Sequence, residues 1–150
     1  MYLEIREATA NDVDDLQELY IKHLTQDPPK EPQIKEEWIS LLEEIKLNKD
    51  YYLIVGVVNG KVVSSVTLVV IRNLTHNLRP YAVMENVVTH YDYRNRGYAS
   101  KMIQYAADIA KQENCYKIML MTGSKKESTL NFYKKNGFSD KEKTAFLMRL

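Results

Sequence analysis

The chain has 150 residues, enough for one domain with a real hydrophobic core. Its 21 basic and 20 acidic residues leave a net charge of +1, so neither a nucleic-acid footprint nor a disordered acidic tail is expected. The single cysteine, Cys115, excludes an internal disulfide and a cysteine-based metal cluster; with no ~18-residue apolar run and no signal-peptide layout at the N-terminus, the expectation is a soluble, cytoplasmic protein that engages no membrane.

Residues 2–6 alternate and predict a first strand. Thr9 to Asp12 offer capping chemistry, and Val13, Leu16, Leu19, Tyr20 and Leu24 form the apolar stripe of a helix that Asp27-Pro28-Pro29 stops. A second helix over about 33–48 sets Ile34, Trp38, Leu41, Leu42 and Ile45 on one face. Residues 51–58 read as a strand, Asn59-Gly60 as a type I′ turn, and 61–71 as the return strand. A polar loop over 72–80 leads to the strand at 83–89. A small-residue loop follows, and then a helix carrying Tyr98, Met102, Tyr105, Ala106 and Ile109, with Asn114 suited to its left-handed C-cap. Residues 116–121 read as another buried strand, parallel to 83–89 by a right-handed crossover. A last helix over 126–136 ends at Asn136-Gly137-Phe138, and 144–150 read as a closing strand whose edge offers a pairing surface for a second copy, hence a homodimer. The order β-α-α-β-β-β-α-β-α-β makes an α/β protein with a mixed sheet and helices on both faces, in a single domain over 1–150.

The chemistry concentrates where the strand at 83–89 turns into the helix at Tyr98. A helix start leaves its first N–H groups unpaired and partly positive, and a phosphate or pyrophosphate fits there. Gly97 and Ala99 keep large side chains away from that backbone, and Arg94 and Arg96 offer planar forks of donors to phosphate. Arg94, Gly97 and Ala99 resemble the Gln/Arg-x-x-Gly-x-Gly/Ala signature of the GNAT superfamily of N-acetyltransferases. The resemblance implies the GNAT fold, acetyl-CoA as co-substrate and no metal. It implies that Arg94, Asn95, Arg96, Gly97, Tyr98, Ala99 and Ser100 cradle the pyrophosphate, and that backbone groups near Val87, Val88 and Thr89 bond the pantetheine arm as a substitute strand.

Acetyl transfer to an amine asks for a base, and for a proton or hydrogen bond to the departing thiolate. Glu85 is the candidate base; by strand alternation it is expected on the same face as Val83, Val87 and Thr89. The alternative is a structural carboxylate paired with an Arg or Lys at a strand end. Glu85-Asn86-Val87-Val88 is similar to the Glu-Asp-Val-Val segment of glucosamine-6-phosphate N-acetyltransferases, with Asn86 in place of Asp. Phe132-Tyr133-Lys134-Lys135-Asn136-Gly137-Phe138 resembles the family's second motif, which implies Tyr133 as the acid beside the sulfur and either Thr129 or Asn131 as a pantetheine contact. His23, His76 and His90 show no metal-ligand spacing, and His90 is expected at a solvated surface. The expected activity is transfer of acetyl to a small-molecule amine, amino sugar-like or otherwise; a protein N-terminus as acceptor and a non-catalytic acyl-CoA sensor are the alternatives. Retention of Glu85 and Tyr133 favours the enzyme.

Overall fold

Asn59 and Gly60 take φ of 48° and 80°, the left-handed pair of a type I′ turn, and close the hairpin on which the sheet is built. That hairpin joins β2 (Tyr51–Val58) to β3 (Lys61–Ile71). β1 (Glu4–Glu7) pairs antiparallel with β2, β4 (Tyr81–Thr89) antiparallel with β3, and β5 (Ile118–Met119) parallel with β4, so the strands lie in the order β1-β2-β3-β4-β5. The computed structural model describes all 150 residues, in two compact units, Met1–Met119 and Leu120–Leu150.

In the first unit, α1 (Val13–Glu18), continued by a π-helical stretch over Leu19–Leu24, and α2 (Lys35–Leu47) cover one face of the sheet. Val13, Leu16, Leu19 and Leu42 pack there with Val55, Val57, Val62 and Val88. α1 is anchored at its start by Asp12, whose carboxylate takes both prongs of the Arg6 fork at 2.8 and 3.0 Å and the Thr9 N–H at 2.8 Å. Burial pushes the Asp12 carboxyl up, but these hydrogen bonds and the Arg6 charge outweigh it and hold it below its ordinary value.

α4 (Tyr98–Gln112) covers the opposite face and buries Tyr98, Met102, Ile103, Ala106 and Ala110. The predicted stripe had Tyr105 inside; Tyr105 is exposed, and Ile103 and Ala110 take the inward places, so the buried face is rotated slightly from the predicted one. Helix and sheet are so close that a β-carbon at Gly56 would lie 2.9 Å from Met102 Sδ and 3.1 Å from Leu3 Cδ1. Asn114 has φ 63°, the expected left-handed cap. Within the loop predicted over 72–80, α3 (Thr75–Leu78) is a single turn with left-handed φ at His76, Asn77 and Leu78.

Two expected strands differ. Instead of a buried strand over 116–121, β5 holds two residues, paired with Ala82 and Val83, and Met119 is exposed. In the second unit α5 (Glu127–Lys135) forms as expected, but 144–150 carry no strand. A strand exists by virtue of its ladder, and a 31-residue unit whose one regular element is a helix supplies none. Phe146 (90%), Leu147 (66%) and Met148 (82%) are accordingly exposed, and the edge expected to pair with a second copy is not formed.

Candidate active site

β4 is interrupted where the chemistry was expected. Ser65 pairs with Val88 and Thr67 with Glu85, so two residues of β4, Asn86 and Val87, stand opposite the single Val66. Asn86 takes φ 54°, the left-handed turn that a β-bulge needs. The extra residue shifts the alternation. Glu85 therefore shares its face with Val88, not with Val87 and Thr89 as simple period-two counting gave. That face is the one covered by α1 and α2, since Val88 belongs to their core cluster and Thr67, opposite Glu85, lines the pocket beneath them. Glu85 is exposed, and no cation of the first unit forms a salt bridge with it, so the pairing with a strand-end Arg or Lys is not made there.

On its other side β4 is open. The β5 ladder ends at Val83, and within the first unit Met84 to Thr89 have no partner strand along that edge. Thr89 leads into a short 3-10 turn, Tyr91–Tyr93, then into Arg94. Arg94 spends its Nε on the Thr89 carbonyl at 3.0 Å and reaches the His23 carbonyl at 3.5 Å through Nη2, with its guanidinium 5.5 Å from the Tyr91 ring centre. It therefore braces the loop, and of the two expected phosphate partners Arg96 is the one without such a brace. Asn95 and Gly97 have φ of 61° and 76°, and Gly97 is the N-cap of α4. No atom lies within 4 Å of where a Gly97 β-carbon would sit, so it is backbone conformation rather than crowding that requires glycine. Tyr98, Ala99 and Ser100 then present the first N–H groups of a 15-residue helix.

Two of the three histidines, His23 and His90, come together, while His76 stacks on Tyr116. His90 is buried, not solvated, and its ring lies 4.1 Å from that of His23, with Glu18 Oε1 3.5 Å from His90 Nε2. His90 Nδ1 accepts the Asp92 N–H at 3.2 Å and His23 Nδ1 the Tyr91 N–H at 3.4 Å, which puts the proton of each neutral ring on Nε2. A metal-bound imidazole donates through its other nitrogen; here that nitrogen accepts. The trio is a hydrogen-bonded latch between the Leu19–Leu24 turn and the Tyr91–Tyr93 turn. Burial, with His90 adjacent, holds the His23 imidazole below its ordinary 6.5. The Lys61 ammonium, 3.2 Å away, draws the Glu18 carboxyl down. The spacing of Glu18, His23 and His90 along the chain gave no signal of this contact, which is made by the fold.

In the second unit α5 ends as its sequence predicts. The Phe138 N–H bonds the Tyr133 carbonyl and the Gly137 N–H the Lys134 carbonyl, with Gly137 at φ 98°. The Tyr133 ring packs between those of Phe132 and Phe138, at 5.2 and 6.2 Å. The Thr129 hydroxyl accepts from Ser124 at 3.2 Å, while Asn131 is exposed.

The pattern of the Acetyltransferase (GNAT) family matches residues 13–138. The chain belongs to that family. Over 84 residues this acetyltransferase is 31% identical to glucosamine 6-phosphate N-acetyltransferase of Trypanosoma brucei brucei, a match covering 56% of this chain and 55% of that one, so it spans about half of that relative's length. It is 27% identical over 133 residues to glucosamine 6-phosphate N-acetyltransferase 1 of Dictyostelium discoideum, covering 87% and 82% of the two chains. A solved structure from Agrobacterium tumefaciens str. C58, assigned as an acetyltransferase, superposes with a TM-score of 0.88 at 35% identity over 98% of this chain and 99% of that one. The mixed α/β class and the enzyme class expected from Arg94, Gly97 and Ala99 thus hold: this is a GNAT N-acetyltransferase, of a family that uses acetyl-CoA as co-substrate. No helix is long and apolar enough to cross a membrane.

Proposed function

We propose that this GNAT enzyme moves the acetyl group of acetyl-CoA to a primary amine of a small molecule by direct attack in a ternary complex. The observation that carries the reading is the open edge of β4 from Met84 to Thr89, continuous with the Gly97-capped start of α4. A pantetheine arm takes the place of a strand along Val87, Val88 and Thr89. The pyrophosphate takes the N–H groups of Tyr98, Ala99 and Ser100, with Asn95 and Arg96 at the rim and Arg94 holding the loop in shape. The amine nitrogen attacks the thioester carbonyl; a C–N bond forms and the C–S bond breaks. Glu85, on the α1–α2 face of β4, takes the proton that the amine loses, directly or through water. Tyr133 supplies a proton to the departing thiolate, and either Thr129 or Asn131 is the polar group of α5 offered to the pantetheine amides. The family pattern runs through both units, which supports their acting as one domain. The proposed place of work is the cytoplasm, with an amine and acetyl-CoA as partners.

Release of free thiol from acetyl-CoA, followed with a panel of primary amines, tests the reading. Amine-dependent release is the expected result. Saturable CoA binding with no release from any amine overturns turnover and leaves a sensor.

A further inference from the structure

We propose, resting on the transferase reading above, that the acceptor is a primary amine carried on an apolar, aryl- or alkyl-bearing body, and that the pocket beneath α1 and α2 holds that body. The pocket measures about 370 Å³, at the small end of ligand sites. Its floor includes Thr67, the cross-strand neighbour of Glu85, and the bulged Asn86, so it reaches the strand positions beside the candidate base. Its walls are Leu41, Leu53, Trp38 and Tyr20 among other apolar side chains.

Of the three aromatic residues in the lining, Tyr20, Trp38 and Tyr51, the first two have their polar tips already engaged. Tyr20 exchanges a hydrogen bond with Ser65 at 3.0 Å, and burial pushes its phenol up to about 12, so it stays neutral. Trp38 donates its Nε1 to Gln33 at 3.1 Å. Their rings, 6.3 Å apart and tilted by 31°, both line the cavity. Glu37 is the one charged residue of the lining, and no Lys, Arg or His contributes to it. A phosphate in this cavity would be a desolvated anion without a cation, which is costly. A protonated amine is matched by Glu37 at the lining and by Glu85 next to it, while its hydrocarbon body gains from Leu41, Leu53 and the Trp38 face. The pocket chemistry therefore departs from that of a phosphosugar, the acceptor class named for the Trypanosoma and Dictyostelium relatives.

The test compares 2-phenylethylamine with glucosamine 6-phosphate in acetyl-CoA-dependent thiol release, and reads 2-phenylethylamine binding separately through the fluorescence of Trp38, the chain's single tryptophan. The expected kcat/KM for 2-phenylethylamine is at least ten times that for glucosamine 6-phosphate, in the range one hydrophobic pocket discriminates. Trp38→Ala should raise the KM for 2-phenylethylamine about tenfold while the KM for acetyl-CoA moves less than twofold. Should that variant unfold, Leu41→Lys, at a position 56% exposed, carries the same expectation by placing a cation at the rim. Higher kcat/KM for glucosamine 6-phosphate overturns the pocket assignment and leaves acetyl transfer standing. Saturable Trp38 quenching by 2-phenylethylamine without thiol release from any amine upholds the pocket and overturns acetyl transfer. Absence of both quenching and turnover with 2-phenylethylamine overturns the pocket.

Discussion

Glu85 owes its position to a neighbour that does no chemistry. Asn86, at φ 54°, adds the residue that keeps Glu85 on the α1–α2 face while Val87 turns to the other. Glu85→Gln should keep CoA affinity and lower the rate with a protonated amine by about 10²–10⁴-fold, the usual worth of a general base. A rate within a factor of two of wild type across pH 6–9 would assign Glu85 a structural role. Asp12 makes a separate prediction about stability. Asp12→Asn loses the charge that faces the Arg6 fork and should cost about 2 kcal/mol at pH 7, discounted because Arg6 is partly exposed. The folded Asp12 carboxyl lies below its ordinary 3.8, so its contribution is complete above that value and is lost as pH falls through the folded pKa. Urea melts at pH 7 and pH 3 check it: the gap between wild type and variant should shrink at the lower pH, and a constant gap contradicts the ion-pair account.

At the scale of elements, the loop between β4 and α4 is predicted to govern co-substrate binding through backbone geometry. Gly97→Val forces a branched side chain into φ 76°, a cost of order 1–3 kcal/mol that shifts the N–H groups of the helix start. Ala99→Leu leaves the backbone alone and places bulk over those same groups. Both should weaken CoA binding, with helical circular dichroism retained in the second. Features of this kind were legible in the sequence because their cause is local. Asn59-Gly60, Asn114 and Gly137 each take the positive φ their residue type allows, and the stripe of α1 follows from spacing; that of α2 does so only at Trp38 and Leu42, since Ile34 and Leu41 are exposed and Ile39 packs instead. The bulge was not legible: Asn86 in a run of valines reads as a strand interruption only once Val66 is seen opposite two residues. His23 and His90 are far apart in sequence, and their 4.1 Å ring contact is set by how the Leu19–Leu24 stretch meets the turn after β4. Residues 144–150 hold an apolar run that reads as a strand, but composition states a preference, and pairing is decided by a partner.

For the whole molecule, a near-neutral chain with a small apolar pocket beneath α1 and α2 fits an enzyme whose acceptor is recognised by shape and one charge. Tyr133→Phe tests whether the two units work as one catalyst. The substitution keeps the ring contacts to Phe132 and Phe138 and removes the hydroxyl alone. Single-turnover acetyl transfer should slow, since product release can mask the step in steady state; a wild-type single-turnover rate would make Tyr133 a packing residue. The central claim, that the open edge of β4 and the start of α4 hold acetyl-CoA, is tested most directly by calorimetric titration of CoA into wild type and Ala99→Leu. The account predicts one saturable site per chain in wild type and at least tenfold (about 1.4 kcal/mol) weaker binding in the folded variant. Equal affinity in the two proteins would contradict it.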